Sequence, residues 1–180
     1  KDVWELFDSI RQAAACLPVA TILTLSAAGS EMSDGSVITK DEGNIKRGYS
    51  HNLSRPTFSI LNPELTMTLP AYQTASGNVD ILMHTMERYF TPHDTMEITD
   101  AIAENLLKTV MNNAQILAKD PQNYAARAEI MWSGSLAHNG LTGCGGGGGD
   151  NNSPQQAQLS LAFSDAPVDA VSKVCIAVAN

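Results

Sequence analysis

Asp80 and His84 are the two residues whose types and spacing point most directly to chemistry. They lie four positions apart in a segment that reads as helix, so both side chains leave the same helix face. A carboxylate and an imidazole placed this way can hold one metal ion, and a metal with an open position acts as a Lewis acid. The same spacing is also found for two solvated or capping side chains, so metal binding can be inferred only together with the surrounding sequence.

The helix that would carry this pair is predicted at Ala71–Tyr89, after Pro70. Apolar residues recur every four positions along the next segment, which predicts a second helix with Asp94 or Thr95 as its N-cap. A third helix is predicted to begin at Asp120, where a capping carboxylate precedes a proline, and to stop at Gly140.

The first part of the chain reads differently. Apolar residues at helical spacing predict a helix over Val3–Ala15, and three short segments rich in β-branched residues predict strands. The expected strands are a buried one at Val19–Leu25, a second at Gly35–Thr39 and a third at Pro56–Leu61. The order is a small α/β portion followed by a helical one.

Several ordered motifs surround these elements, and together they resemble one family. They are the stretches 24–32, 35–39, 46–48, 58–63 and 68–70, followed by Gly77–His84. Over about the first four-fifths of its length the chain resembles the iron-containing (group III) alcohol dehydrogenases, especially the butanol dehydrogenase and broad-range aldehyde reductase branch.

The resemblance implies a partial dehydroquinate synthase-like fold, in which α/β edge strands precede a mostly α-helical domain. Residues 1–69 would end the α/β cofactor-binding portion, 70–141 would form the helical metal-binding domain, and 142–180 would be a Gly-rich linker and an atypical tail. The chain is expected to be an internal segment that lacks the N-terminal dinucleotide-binding domain.

The resemblance also assigns a metal site. Asp80 and His84 match the first two ligands of a divalent metal, iron or zinc, and two histidines are expected downstream. Val168 occupies one of those two positions, and Ser153 or Pro154 falls near the other. Valine cannot bind a metal, and no histidine follows His138.

For the cofactor, NAD(H) or NADP(H), Thr24 and Lys46 match family positions that contact the nicotinamide half. Ala28 replaces a second threonine. The implied reaction passes hydride between the nicotinamide and a metal-bound carbonyl or alcohol of a small alcohol or aldehyde. No catalytic side chain is identified beyond the metal site. The intact family member is expected to be a cytoplasmic homodimer.

The composition of the chain argues against some classes of binding partner. A net charge of −8 disfavours nucleic acid and anionic membranes, and no apolar run is long enough to span a bilayer. Cys16, Cys144 and Cys175 are odd in number and widely spaced, which indicates reduced, mostly structural thiols rather than disulfides or a zinc knuckle.

Other interpretations stay open. The chain can be a truncated or degenerate, non-catalytic relative that serves as a helical packing or oligomerisation module. One interpretation places His138 near the metal, although its spacing matches no family ligand. As a histidine in the last turn of a predicted helix it is expected instead to favour the helix dipole, and His51 and His93 are expected to be solvated. Glu31 is either a structural anchor or exposed. Met131 and Trp132 are expected in the core.

Overall fold

The computed structural model describes residues 2–91 and 96–143, together with the backbone of residues 174–177. The helices are α1 (Trp4–Phe7), α2 (Ala71–Tyr89), α3 (Glu97–Lys119) and α4 (Tyr124–His138). The strands are β1 (Ala20–Ile22), β2 (Gly35–Lys40), β3 (Ile45–Ser50), β4 (Phe58–Leu61) and β5 (Val174–Ala177). None of the helices in these ranges is long and apolar enough to cross a membrane.

The strands form two separate sheets. In the first, β4 lies between β1, which is parallel to it, and β5, which is antiparallel, with Ile22 opposite Ile60 and Leu61 opposite Val174. In the second, β2 and β3 form an antiparallel hairpin that starts from Gly35 opposite Ser50. Strands β3 and β5 were not among the strands expected from the sequence pattern.

Helices α2, α3 and α4 pack around the main hydrophobic core. Apolar residues at three- and four-residue spacing turn inward on each helix, as expected of amphipathic helices. The core residues are Ile81, Leu106, Val110, Leu117, Ala126, Ile130 and Ala137. Burying a large aliphatic side chain stabilises a fold by about 1.5–3 kcal/mol, so this cluster fixes α2, which carries Asp80 and His84.

A second cluster joins the three-stranded sheet to the helices. Leu23 and Leu61 pack there against Met131 of α4, and each side chain is at most 5% exposed. The prediction that Met131 belongs to the core is therefore confirmed. The same prediction for Trp132 is wrong, because this residue is 36% exposed on the adjoining face of α4.

The first predicted helix and strand are both shorter than expected. Helix α1 stops at Phe7 because Asp8 forms an ion pair with Arg47 of β3 and the Phe7 ring packs on Tyr49, with centroids 5.6 Å apart. These contacts hold the chain against the hairpin in place of further helical turns. Strand β1 spans three residues, and Ile22 is 61% exposed, so the expected buried strand was wrong in both length and burial.

The helical part follows the predictions more closely. Helix α2 has the predicted bounds. Helix α4 begins at Tyr124 rather than at Asp120, because Asn123 is the N-cap and its side chain accepts a hydrogen bond from the Ala126 N–H at 3.1 Å. Asp94 and Thr95, the expected caps of α3, lie outside the described residues.

Other predictions fall outside the described residues as well. They concern His93, the Gly-rich linker from Cys144 onward, Ser153, Pro154 and Val168. Cys16 is a free thiol, as expected, and it is exposed rather than part of the core.

Candidate metal and cofactor site

Asp80 and His84 lie one turn apart on α2, at the edge of its buried face. The Asp80 Oδ1 and His84 Nε2 atoms are 3.6 Å apart, and the side chains are 42% and 31% exposed. Two donors bound to one metal at about 2.1 Å lie roughly 3.0–3.4 Å apart, so a small rotation of either side chain lets both atoms reach one ion. Glu87 lies on the other side of the His84 ring, 3.9 Å from Nδ1.

Helix α2 is held in this position by a close approach to the loop after β1. A Cβ atom at Gly77 would lie 2.5 Å from the Ser26 carbonyl oxygen, so only glycine allows the helix to come this near. On the adjoining positions of α2, Ile81 and Thr85 are fully buried. Asp80 and His84 therefore stand on a helix that is packed closely on its buried side, and both side chains are partly open to solvent.

His138 reaches the same place from the end of α4. Its ring contacts that of His84 edge to face, with centroids 4.4 Å apart. Burial, and then the nearby charges of His84 and Arg88, lower the pKa of His138 to about 4. The imidazole is therefore neutral at pH 7, and the prediction that it serves as a cation for the helix dipole is wrong.

Gly29 makes room for this histidine. The residue has φ +64°, and a Cβ atom there would lie 2.2 Å from Cγ and Cδ2 of His138. A hydrogen bond with the backbone of Ala27 acts on His138 from the same loop. The loop thus fixes His138 from one side while α4 fixes it from the other.

Glu31 anchors that loop to both layers of the fold. It is 3% exposed, its Oε1 accepts a 2.6 Å hydrogen bond from the Ser135 hydroxyl of α4, and its backbone oxygen accepts one of 3.0 Å from Ser59 of β4. Burial raises the pKa of Glu31, and the Ser135 hydrogen bond partly opposes this. Of the two interpretations left open by the sequence, the structure favours the structural anchor.

The two candidate cofactor residues lie on different parts of the α/β portion. Thr24 follows β1, and Lys46 lies on β3 opposite Thr39. Both are exposed, as is Ala28. Their roles as cofactor contacts stay predictions.

His51 has a local structural role. Its Nδ1 accepts a hydrogen bond of 3.1 Å from the Leu53 N–H, and its ring stacks on Tyr49. The expectation of a simply solvated histidine is therefore wrong.

A groove between α3 and α4 lies apart from these residues. It has a volume of about 420 Å³ and is lined by mostly apolar side chains, including Ile98, Ile102 and Trp132. Neither Asp80 nor His84 contributes to it.

Residues 2–91 and 96–143 contain no group of three His, Cys, Asp or Glu side chains already arranged around one point. Local spacing in the sequence was enough to identify Asp80 and His84, but it missed the arrangement of His138 and Gly29. The meeting of these two residues depends on how the loop packs on α4, and no spacing in the sequence signals it.

Comparisons with known proteins point to the same family in both the first and the second part of the chain. The family model described as "Iron-containing alcohol dehydrogenase" matches residues 1–63, and the model described as "Fe-containing alcohol dehydrogenase family, C-terminal" matches residues 74–147. The NADH-dependent butanol dehydrogenase A of Clostridium acetobutylicum is 43% identical over 80% of this chain and 37% of its own length. The NADPH-dependent aldehyde reductase YqhD of Escherichia coli is 36% identical over 80% of this chain and 38% of its own length.

Solved structures give the same result. The crystal structure of NADH-dependent butanol dehydrogenase A from Thermotoga maritima superposes with a TM-score of 0.76 at 37% identity, over 79% of this chain and 35% of that one. The structure of YqhD from E. coli K-12 gives a TM-score of 0.76 at 36% identity, over 81% of this chain and 37% of that one. The chain thus spans somewhat more than a third of the length of these relatives.

Proposed function

Since the chain belongs to the iron-containing alcohol dehydrogenase family and has its fold, we propose that it forms part of an NAD(P)H-dependent alcohol dehydrogenase or aldehyde reductase. The reaction would reduce an aldehyde with NAD(P)H and a proton to give the alcohol and NAD(P)⁺, or run in reverse. Relatives named as a butanol dehydrogenase and an aldehyde reductase support small alcohols and aldehydes as substrates.

Asp80 and His84 are the proposed ligands of a divalent metal, iron or zinc. The observation that carries this proposal is the 3.6 Å separation of their donor atoms on one helix. A buried nitrogen of His138 without a hydrogen-bond partner, next to His84, supports the fit of a cation at this place. The metal would supply Lewis-acid polarisation of the carbonyl group.

Thr24 and Lys46 are the proposed contacts of the nicotinamide cofactor. The Thr24 hydroxyl and the Lys46 ammonium group can donate hydrogen bonds to ribose or phosphate oxygens. Both residues are exposed, so a cofactor could reach them. In this proposal residues 1–69 complete the cofactor-binding portion, residues 70–141 form the metal-binding helical domain and residues 142–180 are a tail. No side chain is assigned as proton donor, so the proton would come from water or from a ribose hydroxyl of the cofactor.

The test is reductase activity of the purified chain reconstituted with Fe²⁺ or Zn²⁺, using butanal and either NADH or NADPH. Asp80→Asn and His84→Gln should each lower the rate at least about a hundredfold, since each removes one metal ligand. The matched control Glu129→Gln, which changes an exposed carboxylate on α4, should leave the rate unchanged.

Two outcomes would contradict the proposal. Equal activity in the Asp80 and His84 variants would exclude them as metal ligands of the enzyme. An unaltered chain that binds neither metal nor NAD(P)H would favour the alternative, a non-catalytic relative that acts as a helical packing or oligomerisation module.

A further inference from the structure

We propose that His138 is a third ligand of the metal, and that its Nε2 atom completes a site begun by Asp80 and His84. The inference rests on the proposed function for the identity of the first two ligands. It goes further because His138 matches no ligand position of the family pattern and lies on a different helix.

The His138 nitrogens are in the state expected of a metal ligand. Nε2 is buried and has no hydrogen-bond partner in the structure, which leaves its desolvation uncompensated. The backbone of Ala27 also acts on the imidazole as a hydrogen-bond partner. Histidines that bind metals usually donate the second ring N–H to a carbonyl or carboxylate, which leaves a lone pair for the metal.

The distance between the two imidazoles is also near that of shared coordination. Their centroids are 4.4 Å apart. Two imidazoles bound to one metal through nitrogens at about 2.1 Å place their ring centres roughly 4.6–5.3 Å apart. The observed pair is slightly closer than this, so the rings would have to move apart by a few tenths of an ångström or more to share one ion.

The three side chains differ in how freely they can move. His138 is held by Ala27 and by close contact with Gly29, whereas the side chain of His84 is 31% exposed and that of Asp80 is 42% exposed. The three donors do not converge on one point as they stand. The proposal therefore requires the two partly exposed side chains on α2 to rotate toward His138.

The sequence lacks the two downstream histidines that complete the metal site in the family pattern, so a further ligand is needed. The family pattern calls for two further histidines downstream, and the chain has no histidine after His138. A third donor on α4 would let Asp80 and His84 hold a metal without those residues, since two ligands alone rarely retain one.

The test is zinc binding by the complete 180-residue chain, measured by competition with a chromophoric chelator. We expect one Zn²⁺ per chain and a dissociation constant at least about a hundredfold larger in His138→Gln, because one metal ligand is lost. The matched control is His51→Gln, which replaces a histidine whose ring stacks on Tyr49 instead of on His84. This control should bind zinc as the unaltered chain does.

A second measurement requires no substitution. Long-range ¹H–¹⁵N spectra of the unaltered chain should show the Nε2 signals of both His84 and His138 shifting when Zn²⁺ is added. A His138 signal that stays in place while that of His84 shifts would overturn the proposal. Unchanged affinity in His138→Gln, or no zinc binding by the unaltered chain, would also overturn it.

These results are separable from the reductase assay. Zinc binding that depends on His138 in a chain that binds neither NADH nor NADPH would sustain this inference and count against the proposed function. Reductase activity that depends on Asp80 and His84, with zinc affinity unchanged in His138→Gln, would do the reverse.

Discussion

Gly29 is the residue on which the position of His138 depends most. Gly29→Ala should lower the free energy of unfolding by about 3 kcal/mol or more, because it adds both left-handed strain and an overlap with the histidine ring. Gly140 provides a matched control, since it has φ +85° and a Cβ atom there would have nothing within 4 Å. Gly140→Ala should cost only about 1 kcal/mol. Equal losses for the two variants in urea unfolding would show that the ring contact is absent.

Glu31 should give the stability of the protein a defined pH dependence. Its pKa is raised by burial, so the folded state holds this proton more tightly than the unfolded state does. The resulting stabilisation is fully present below the ordinary carboxyl pKa of 4.5 and is lost as the pH rises through the pKa of the folded state.

The Glu31→Gln variant isolates this effect because it cannot titrate. The free energy of unfolding of the unaltered chain, relative to Glu31→Gln, should therefore fall as the pH is raised from about 4.5 to about 7. Glu64→Gln, at an exposed site, is the control for a carboxylate change in general. A difference between the unaltered chain and Glu31→Gln that is constant over this range would contradict the burial of a titrating carboxyl group.

At the scale of single residues, sequence pattern was sufficient where the geometry is local. Asp80 and His84 share a helix, so their separation follows from their spacing. The approach of His138 to His84 follows instead from three packed pieces, namely α2, α4 and the loop that carries Gly29. No local pattern contains that information.

At the scale of elements, the predicted and observed starts of α4 differ, because Asp120 was the expected N-cap and Asn123 is the observed one. Asn123 caps the helix, whereas Asp120 accepts hydrogen bonds from the Gln122 N–H and the Asn123 side chain ahead of it. Asn123→Ala should therefore lower the free energy of unfolding by about 1 kcal/mol. Asp120→Ala should lower it by less. If urea unfolding shows a larger loss of unfolding free energy for Asp120→Ala than for Asn123→Ala, Asp120 is the N-cap, as the sequence predicted.

The elements differ in how well sequence predicted them, for a physical reason. Helix α2 is long and strongly periodic, and its bounds were predicted correctly. Helix α1 ends early because Asp8 and Phe7 are engaged by the hairpin. The strand β5 pairs with β4 from far along the chain, and such pairing is not visible in the local pattern of either segment.

At the scale of the whole molecule, the small cluster of Leu23, Leu61 and Met131 joins the sheet to the helices. Met131→Ala should lower the free energy of unfolding by about 2–5 kcal/mol, because it leaves a cavity at this junction. Met111→Ala, at a residue that is 47% exposed on α3, should change it by less than about 1 kcal/mol. Similar losses for both would mean that the two parts are not joined through Met131.

The chain spans 37% of the length of its Clostridium relative, and in the proposed enzyme it would contribute to both cofactor binding and metal binding. The α/β portion presents Thr24 and Lys46, and the helical portion presents Asp80, His84 and His138. The family and the fold could be predicted from ordered motifs because these are spread over most of the sequence. Whether the metal is held depends on contacts between separate helices, which motifs do not encode.

The most direct test of the proposed metal site is the metal content of the purified chain, measured by plasma mass spectrometry beside an Asp80→Ala, His84→Ala double variant. We expect one iron or zinc per unaltered chain and none in the double variant. An unaltered chain without metal, or a double variant that retains it, would contradict the assignment of Asp80 and His84 as the metal site.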